Sequence, residues 1–203
     1  NYLFYQPKEL WQYEAALFCC DRNEIKAYML RRLKPGLGGG KTIFVTVDEV
    51  ASAHIKELAA VYPVLNADKA KDADMRFCRF IEGVFDKRIV SSVFLTGEGF
   101  ENNWYPTSLR VLCNGRRAFI GNNLYSKGAC YTAYRKMFMH IEDPVYLSED
   151  KLTDQITVNM RVNGQEMWYP IVSWGSHWYE SNNQWEVLLE DTEDIELHIE
   201  SLV

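Results

Sequence analysis

The run Ile89-Val90-Ser91-Ser92-Val93-Phe94-Leu95-Thr96 constrains this chain more than any other segment. It is short, mostly apolar and does not alternate, so neither face suits water. Such a run reads as a buried strand with neighbours on either side, and Gly97-Glu98-Gly99 closes it with turn chemistry.

The segments around it supply the neighbours. Residues 14–20 and 24–30 flank Asp21-Arg22-Asn23, and Ile25, Ala27 and Met29 alternate with polar or aromatic partners, which predicts a β-hairpin. After Pro35 and the glycines at 36 and 38–40, Thr42-Ile43-Phe44-Val45-Thr46-Val47 is rich in β-branched residues and predicts a third strand. Val50, Ala53, Ile55, Leu58, Ala59 and Tyr62 then recur at helical spacing until Pro63, and Met75, Cys78, Ile81 and Phe85 begin a second helical pattern. Past the buried strand, residues 106–112 suit a helix opened by proline and closed by Asn114-Gly115, and residues 117–121 a short strand. A last helix is expected over 128–139, with Ala129, Thr132, Ala133, Lys136 and Met137 facing inward or along its edge. The order to about residue 140 is therefore βββ, αα, β, α, β, α, an α/β arrangement.

Beyond Asp143-Pro144 the pattern becomes β and stays so. Residues 155–162 alternate around Ile156, Val158, Met160 and Val162, Asn163-Gly164 is a hairpin turn, and 167–172 return. Residues 185–189 and 195–199 predict two more strands, so a small all-β, sandwich-like unit is expected over 143–203.

Composition sets the class of partner. With 47% hydrophobic, 14% aromatic and 25% charged residues the chain is a folded protein, not a disordered tail. No apolar run approaches the roughly 20 residues that cross a bilayer, and no signal peptide opens the chain, so a cytoplasmic protein without a membrane partner is expected. The first residue looks like a cut through a longer protein. A net charge of -6 argues against nucleic acid. The deficit gathers in Glu180, Glu186, Glu190, Asp191, Glu193, Asp194, Glu196 and Glu200, either a solvated acidic face or a repellent for anions. Five cysteines, Cys19, Cys20, Cys78, Cys113 and Cys130, lack paired spacing and read as reduced thiols, mostly in the core.

Several motifs invite chemistry. Gly38-Gly39-Gly40-Lys41-Thr42 resembles a phosphate-binding loop, but Pro35 stands where that pattern needs its first glycine and a strand, not a helix, follows Lys41. Phe44 to Glu49 looks like a magnesium-binding strand, yet no helix separates it from the supposed loop. A flexible hairpin loop is the better reading. His54, His140, His177 and His198 lie far apart with no ligand spacing, so no metal site is expected, and no serine sits in a nucleophile elbow. The aromatic cluster Trp168-Tyr169-Pro170 with Trp174 to Tyr179 is either a recognition surface or the filling of a small β core.

The segment Val93 to Phe100, followed by a helix, a strand and Ser126-Lys127-Gly128-Ala129-Cys130-Tyr131-Thr132-Ala133, resembles the adenosine-side segment of the actin, sugar kinase and seventy-kilodalton heat-shock chaperone superfamily. The resemblance spans about residues 11–140 and implies a ribonuclease H-like lobe over 1–142 with a helical insertion at about 50–88. It makes Gly97, Glu98, Gly99 and Phe100, with Asp21 of the first hairpin, the candidate cofactor-binding residues. The β unit is similar in order to the chaperone's substrate-binding module, which makes Trp174 and Trp178 candidate contacts for a protein or peptide partner. The family's second phosphate loop carries glycines after its Asp, whereas here Asp21 precedes Arg22-Asn23-Glu24. The first lobe, with the catalytic groups, is absent from these residues, so no catalytic residue and no cofactor are expected in them, and ATP with Mg only in an intact protein. Two readings follow: a degenerate member serving as an interaction scaffold, or an ATP-dependent switch that works only with the missing lobe.

Overall fold

The computed structural model describes residues 2–35, 42–60, 66–121, 123–139, 144–181, 184–189 and 194–202, the side chains of 59 and 60 excepted. Contacts divide the chain into two units, residues 1–32 with 47–143, and residues 33–46 with 144–203. The suspected phosphate-binding glycines and Lys41 lie outside the described residues, as does His140.

The hairpin forms as its turn residues dictate. Strands β1 (Glu14–Asp21) and β2 (Glu24–Leu33) pair antiparallel, and Arg22 takes a left-handed φ of 53° at the tip. Strand β3 is Phe44–His54, longer than its β-branched core suggested. The helix expected over 50–62 is therefore corrected. Residues 50–54 continue the strand and a 3-10 turn, Lys56–Ala60, follows, while Tyr62 lies outside the described residues. The ten-residue β2 holds its neighbour extended as far as the hairpin tip, where Asn23 O accepts the Ile55 amide at 2.8 Å. Helix α1 (Ala67–Phe85) is opened by Asn66, whose side chain accepts from Asp68 N.

Strand β4 (Val90–Thr96) pairs parallel with β1 on one side and with β5 (Arg117–Ile120) on the other. The mixed six-stranded sheet runs β5-β4-β1-β2-β3-β6, with β6 (Val145–Tyr146) parallel to the first residues of β3. The unalternated run thus lies inside the sheet. Both of its faces are covered, as a strand without a polar face requires. Val93 and Leu95 join Phe18, Cys20, Ile25 and Met29 beneath α1 and α2 (Pro106–Leu112). Phe94 joins Leu3, Leu10 and Ala15 on the opposite face, where Ser92 Oγ donates to Leu10 O at 2.6 Å.

Helix α3 (Leu124–Tyr134) continues as a π turn, Arg135–Met139, and buries no residue. Ala129, Ala133, Lys136 and Met137, expected inward or along the edge, are exposed. The contact side is instead that of Tyr131, which stacks on Tyr5 at 4.5 Å and accepts its hydroxyl. The N-terminal aromatics, which carry no periodic signal, chose that side.

The second unit holds a three-stranded antiparallel sheet, β8-β7-β9, from β7 (Asp154–Val162), β8 (Gln165–Val172) and β9 (Leu197–Ser201). Its hairpin turns at Asn163 and Gly164 with φ of 50° and 84°. A second sheet layer is not present among the described residues, so the sandwich expectation is corrected to one sheet. Residues 185–189, expected as a strand, form none.

One contact ties two helices of the first unit. The buried carboxylate of Asp74 on α1 accepts the Thr107 and Ser108 amides at 2.7 and 2.8 Å and the Ser108 hydroxyl at 2.6 Å. It caps the N-terminus of α2 from another element, satisfying orphan amides. Burial pushes the Asp74 carboxyl up, but the Ser108 and Thr107 bonds outweigh it and hold the group below the ordinary aspartate range. Its stabilisation is therefore fully present above the ordinary aspartate value and is lost as pH falls through the lowered folded value. Asp74→Ala is expected to destabilise by about 2–3 kcal/mol in urea unfolding. Asp74→Asn should abolish this group's share of the acid sensitivity, seen as a flatter stability profile below about pH 4.

Candidate functional site

Parallel pairing places the end of β4 beside the tip of the first hairpin. The last registered pair is Cys19 with Thr96, so the loop after β4 meets Cys20. Gly97 has φ of 100°, and a Cβ there would overlap the Cys20 carbonyl. A Cβ on Gly99 would overlap the Cys20 thiol. Both glycines are thus demanded by packing between loop and hairpin, a close approach of chain to chain.

The rest of the loop is held as tightly. Residues Glu98–Phe100 form one 3-10 turn, and Phe100 is buried among Phe77, Trp104 and Tyr105 with ring centroids 5.3–6.2 Å away. The loop's carbonyls are taken, Gly99 O by Trp104 Nε1 at 2.7 Å and Phe100 O by the Tyr105 hydroxyl at 3.2 Å. Phe100 is therefore a core residue. Glu98 and Asp21 point outward with Arg22 and Glu24. Three carboxylates and one guanidinium give these exposed positions a net negative charge, which disfavours a polyphosphate.

Cys20 carries no chemistry in this setting. Burial, then Cys19 and Asp21, pushes its thiol up to about 12, so it stays neutral and unreactive. All five cysteines are free, but Cys113 and Cys130 are exposed, which corrects the expectation of mostly buried thiols. Among the described residues no group of His, Cys, Asp and Glu could hold a metal ion. His54 Nε2 lies 3.2 Å from Asn23 Nδ2, His177 Nδ1 lies 2.8 Å from Asp150 Oδ2, and the His198 ring lies tilted 5.5 Å from Trp168.

The two candidate tryptophans of the second unit part company. Trp174 donates to Glu200 O at 3.0 Å and packs with Phe44, Val145, Leu147 and Leu202 as part of a small core. Gly175 follows at φ 74°, where a Cβ would press on Val145 at 2.8 Å. Trp178 opens a 3-10 turn and is 63% exposed, with Tyr179 beside it at 56%. Of the six tryptophans, Trp104 is buried, Trp11 and Trp174 are half-buried, and Trp168, Trp178 and Trp185 are exposed, so core and surface readings each describe part of the set. Sequence reasoning missed Cys20, although its alternation with Ala16 and Phe18 marks it as inward-facing.

The molecule is an α/β protein with a mixed six-stranded sheet and a separate three-stranded sheet, and among the described residues no helix is long and apolar enough to cross a membrane. Residues 1–149 match the family described as "Family of unknown function (DUF5716) C-terminal", and the chain belongs to that family. Residues 151–203 match "Domain of unknown function (DUF8552)". No curated protein matches the chain.

The packing account of the loop has a direct check. Gly97→Ala should cost about 2–4 kcal/mol in denaturant unfolding, combining backbone strain with overlap. Gly115 has a similar φ of 72° with open space around it. Gly115→Ala should therefore cost only about 1 kcal/mol. Equal losses at the two sites would remove Cys20 from the explanation.

Proposed function

We propose that this chain is the C-terminal part of a chaperone-like or actin-like cytoplasmic protein, and that it acts as a protein-interaction scaffold whose nucleotide site is degenerate. The sheet order β3-β2-β1-β4-β5, antiparallel between β1 and β2 and parallel across β1, β4 and β5, supports a ribonuclease H-like lobe. The observation that carries the functional reading is the seating of Gly97 and Gly99 on Cys20. In a nucleotide site, glycines free the backbone to approach the ligand; here the Cys20 side chain and carbonyl take that space. The outward carboxylates of Asp21, Glu24 and Glu98 add repulsion toward phosphate.

Partner binding falls to the second unit. Trp178 and Tyr179 are large, exposed and adjacent, and Met167, Leu197 and Ile199 leave further apolar surface on its sheet. Aromatic anchors of this kind dominate protein recognition.

Isothermal titration of the chain with Mg-ATP tests the degenerate site, and no saturable heat is expected up to about 1 mM. Micromolar binding that Arg22→Glu abolishes, with the circular dichroism unchanged, would instead make the loop a working nucleotide site. Trp178→Ala should keep the unfolding midpoint yet lose the protein partners captured by the unaltered chain. Retention of every partner would reduce Trp178 to a surface residue without a role.

A further inference from the structure

The outer edge of β3 changes character along its length. Residues Phe44 and Val45 pair with β6, but residues 47–54 have no strand on that side among the described residues. Edges are usually guarded by proline, bulges or charges. The stretch Val50-Ala51-Ser52-Ala53 holds neither proline nor charge. The two charges before it reach toward β2, Asp48 to Arg31 at 4.0 Å and Glu49 to Lys26 at 3.7 Å, and both carboxylates stay nearly half exposed.

Beside this edge lies an open groove of about 460 Å³ between β3 and the end of α1. Val50, Ala51, Phe80 and Val84 supply apolar walls, and Arg79, Arg88 and Asp86 its charged rim. Arg88 is already near Glu14 at 3.6 Å, while Arg79 is exposed and has no ion-pair partner among the described residues. Gly83 is the second observation. It lies in α1 with an ordinary helical backbone, and a Cβ there would meet nothing within 4 Å. Neither conformation nor packing asks for glycine, and glycine inside a helix costs up to about 1 kcal/mol against alanine. What its missing side chain does provide is room in the groove.

We infer that β3 and α1 form a docking site for an extended acidic segment of a partner protein, which adds as a strand to residues 50–54. Main-chain hydrogen bonds along β3 supply affinity. Alternate side chains of the segment enter the groove over Gly83, and its carboxylates meet Arg79 at the rim. The site belongs to the first unit and does not depend on the role of Trp178 in the second.

The probe is a fluorescein-labelled peptide of roughly ten residues alternating valine with glutamate, followed by fluorescence anisotropy. Saturable binding in the range of about 10–100 μM is expected, with amide shifts clustered at residues 50–54 and 79–84 in nuclear magnetic resonance spectra. Gly83→Leu and Arg79→Glu should each weaken it about tenfold or more. Gly83→Ala should raise the unfolding midpoint while weakening the peptide, the opposite of what a purely structural glycine would do. The same peptide with lysine in place of glutamate, or with alternate amides methylated, should not saturate. The proposal is overturned if the acidic peptide fails to bind, if folded Gly83→Ala and Arg79→Glu variants bind it unchanged, or if the lysine or methylated peptide binds as well.

Discussion

The parallel pairing of β1 with β4 is the constraint on which the first unit depends. β1 is bound on its other side to β2 through a tight turn, so it carries two ladders and both of its faces are covered. Its register to β4 brings the hairpin tip to the loop at Gly97, which is why that loop can contain no side chain at two of its positions. Parallel strands also require a long connection, and β3, α1 and the intervening segment provide it. Phe77 on α1 then packs on Phe18 of β1 and Phe100 of the loop, so the crossover helix closes over the junction it made possible.

The buried polar side chains Asp74, Ser92 and Thr96 are each bonded within this interior. Asp74 joins two helices by accepting from the start of α2, and Ser92 and Thr96 of β4 donate to backbone carbonyls of Leu10 and Gly121. Each replaces a bond that water would otherwise make, so these groups specify which segments meet and leave no unsatisfied partner among them. The N-terminal aromatics have the same role on the opposite sheet face, where Tyr2 meets Phe94 at 6.2 Å and Tyr5 stacks on Tyr131.

The same packing separates sites from scaffolding. Phe100 and Trp174, which resemblance offers for ligand and partner contact, are committed to their own cores. Trp178 and Arg79 are exposed, and Arg79 stands on α1, whose opposite face is buried in the core. A rigid support beneath an exposed anchor lowers the ordering cost of binding, which makes such positions suited to recognition.

What the sequence determined by itself is local. Asp21 to Asn23 and Asn163-Gly164 specify their turns, Pro106 opens α2, and the unalternated 90–96 run announces a strand inside a sheet, because turn chemistry and periodicity reside in adjacent residues. Where two local readings compete, only the tertiary structure decides. Val50 and Ala53 fit a helix as well as a strand, and β2 settles the matter as the neighbouring strand in the sheet. The contact side of α3 follows the aromatics 126 residues earlier, and the separate fates of Trp174 and Trp178 follow Phe44 and Glu200, each distant in the chain. The meaning of Gly97 and Gly99 is of the same kind. Two glycines in a loop announce a close approach, but only the folded β1–β4 junction decides that Cys20 is what approaches, because that identity rests on a pairing between residues nearly eighty positions apart.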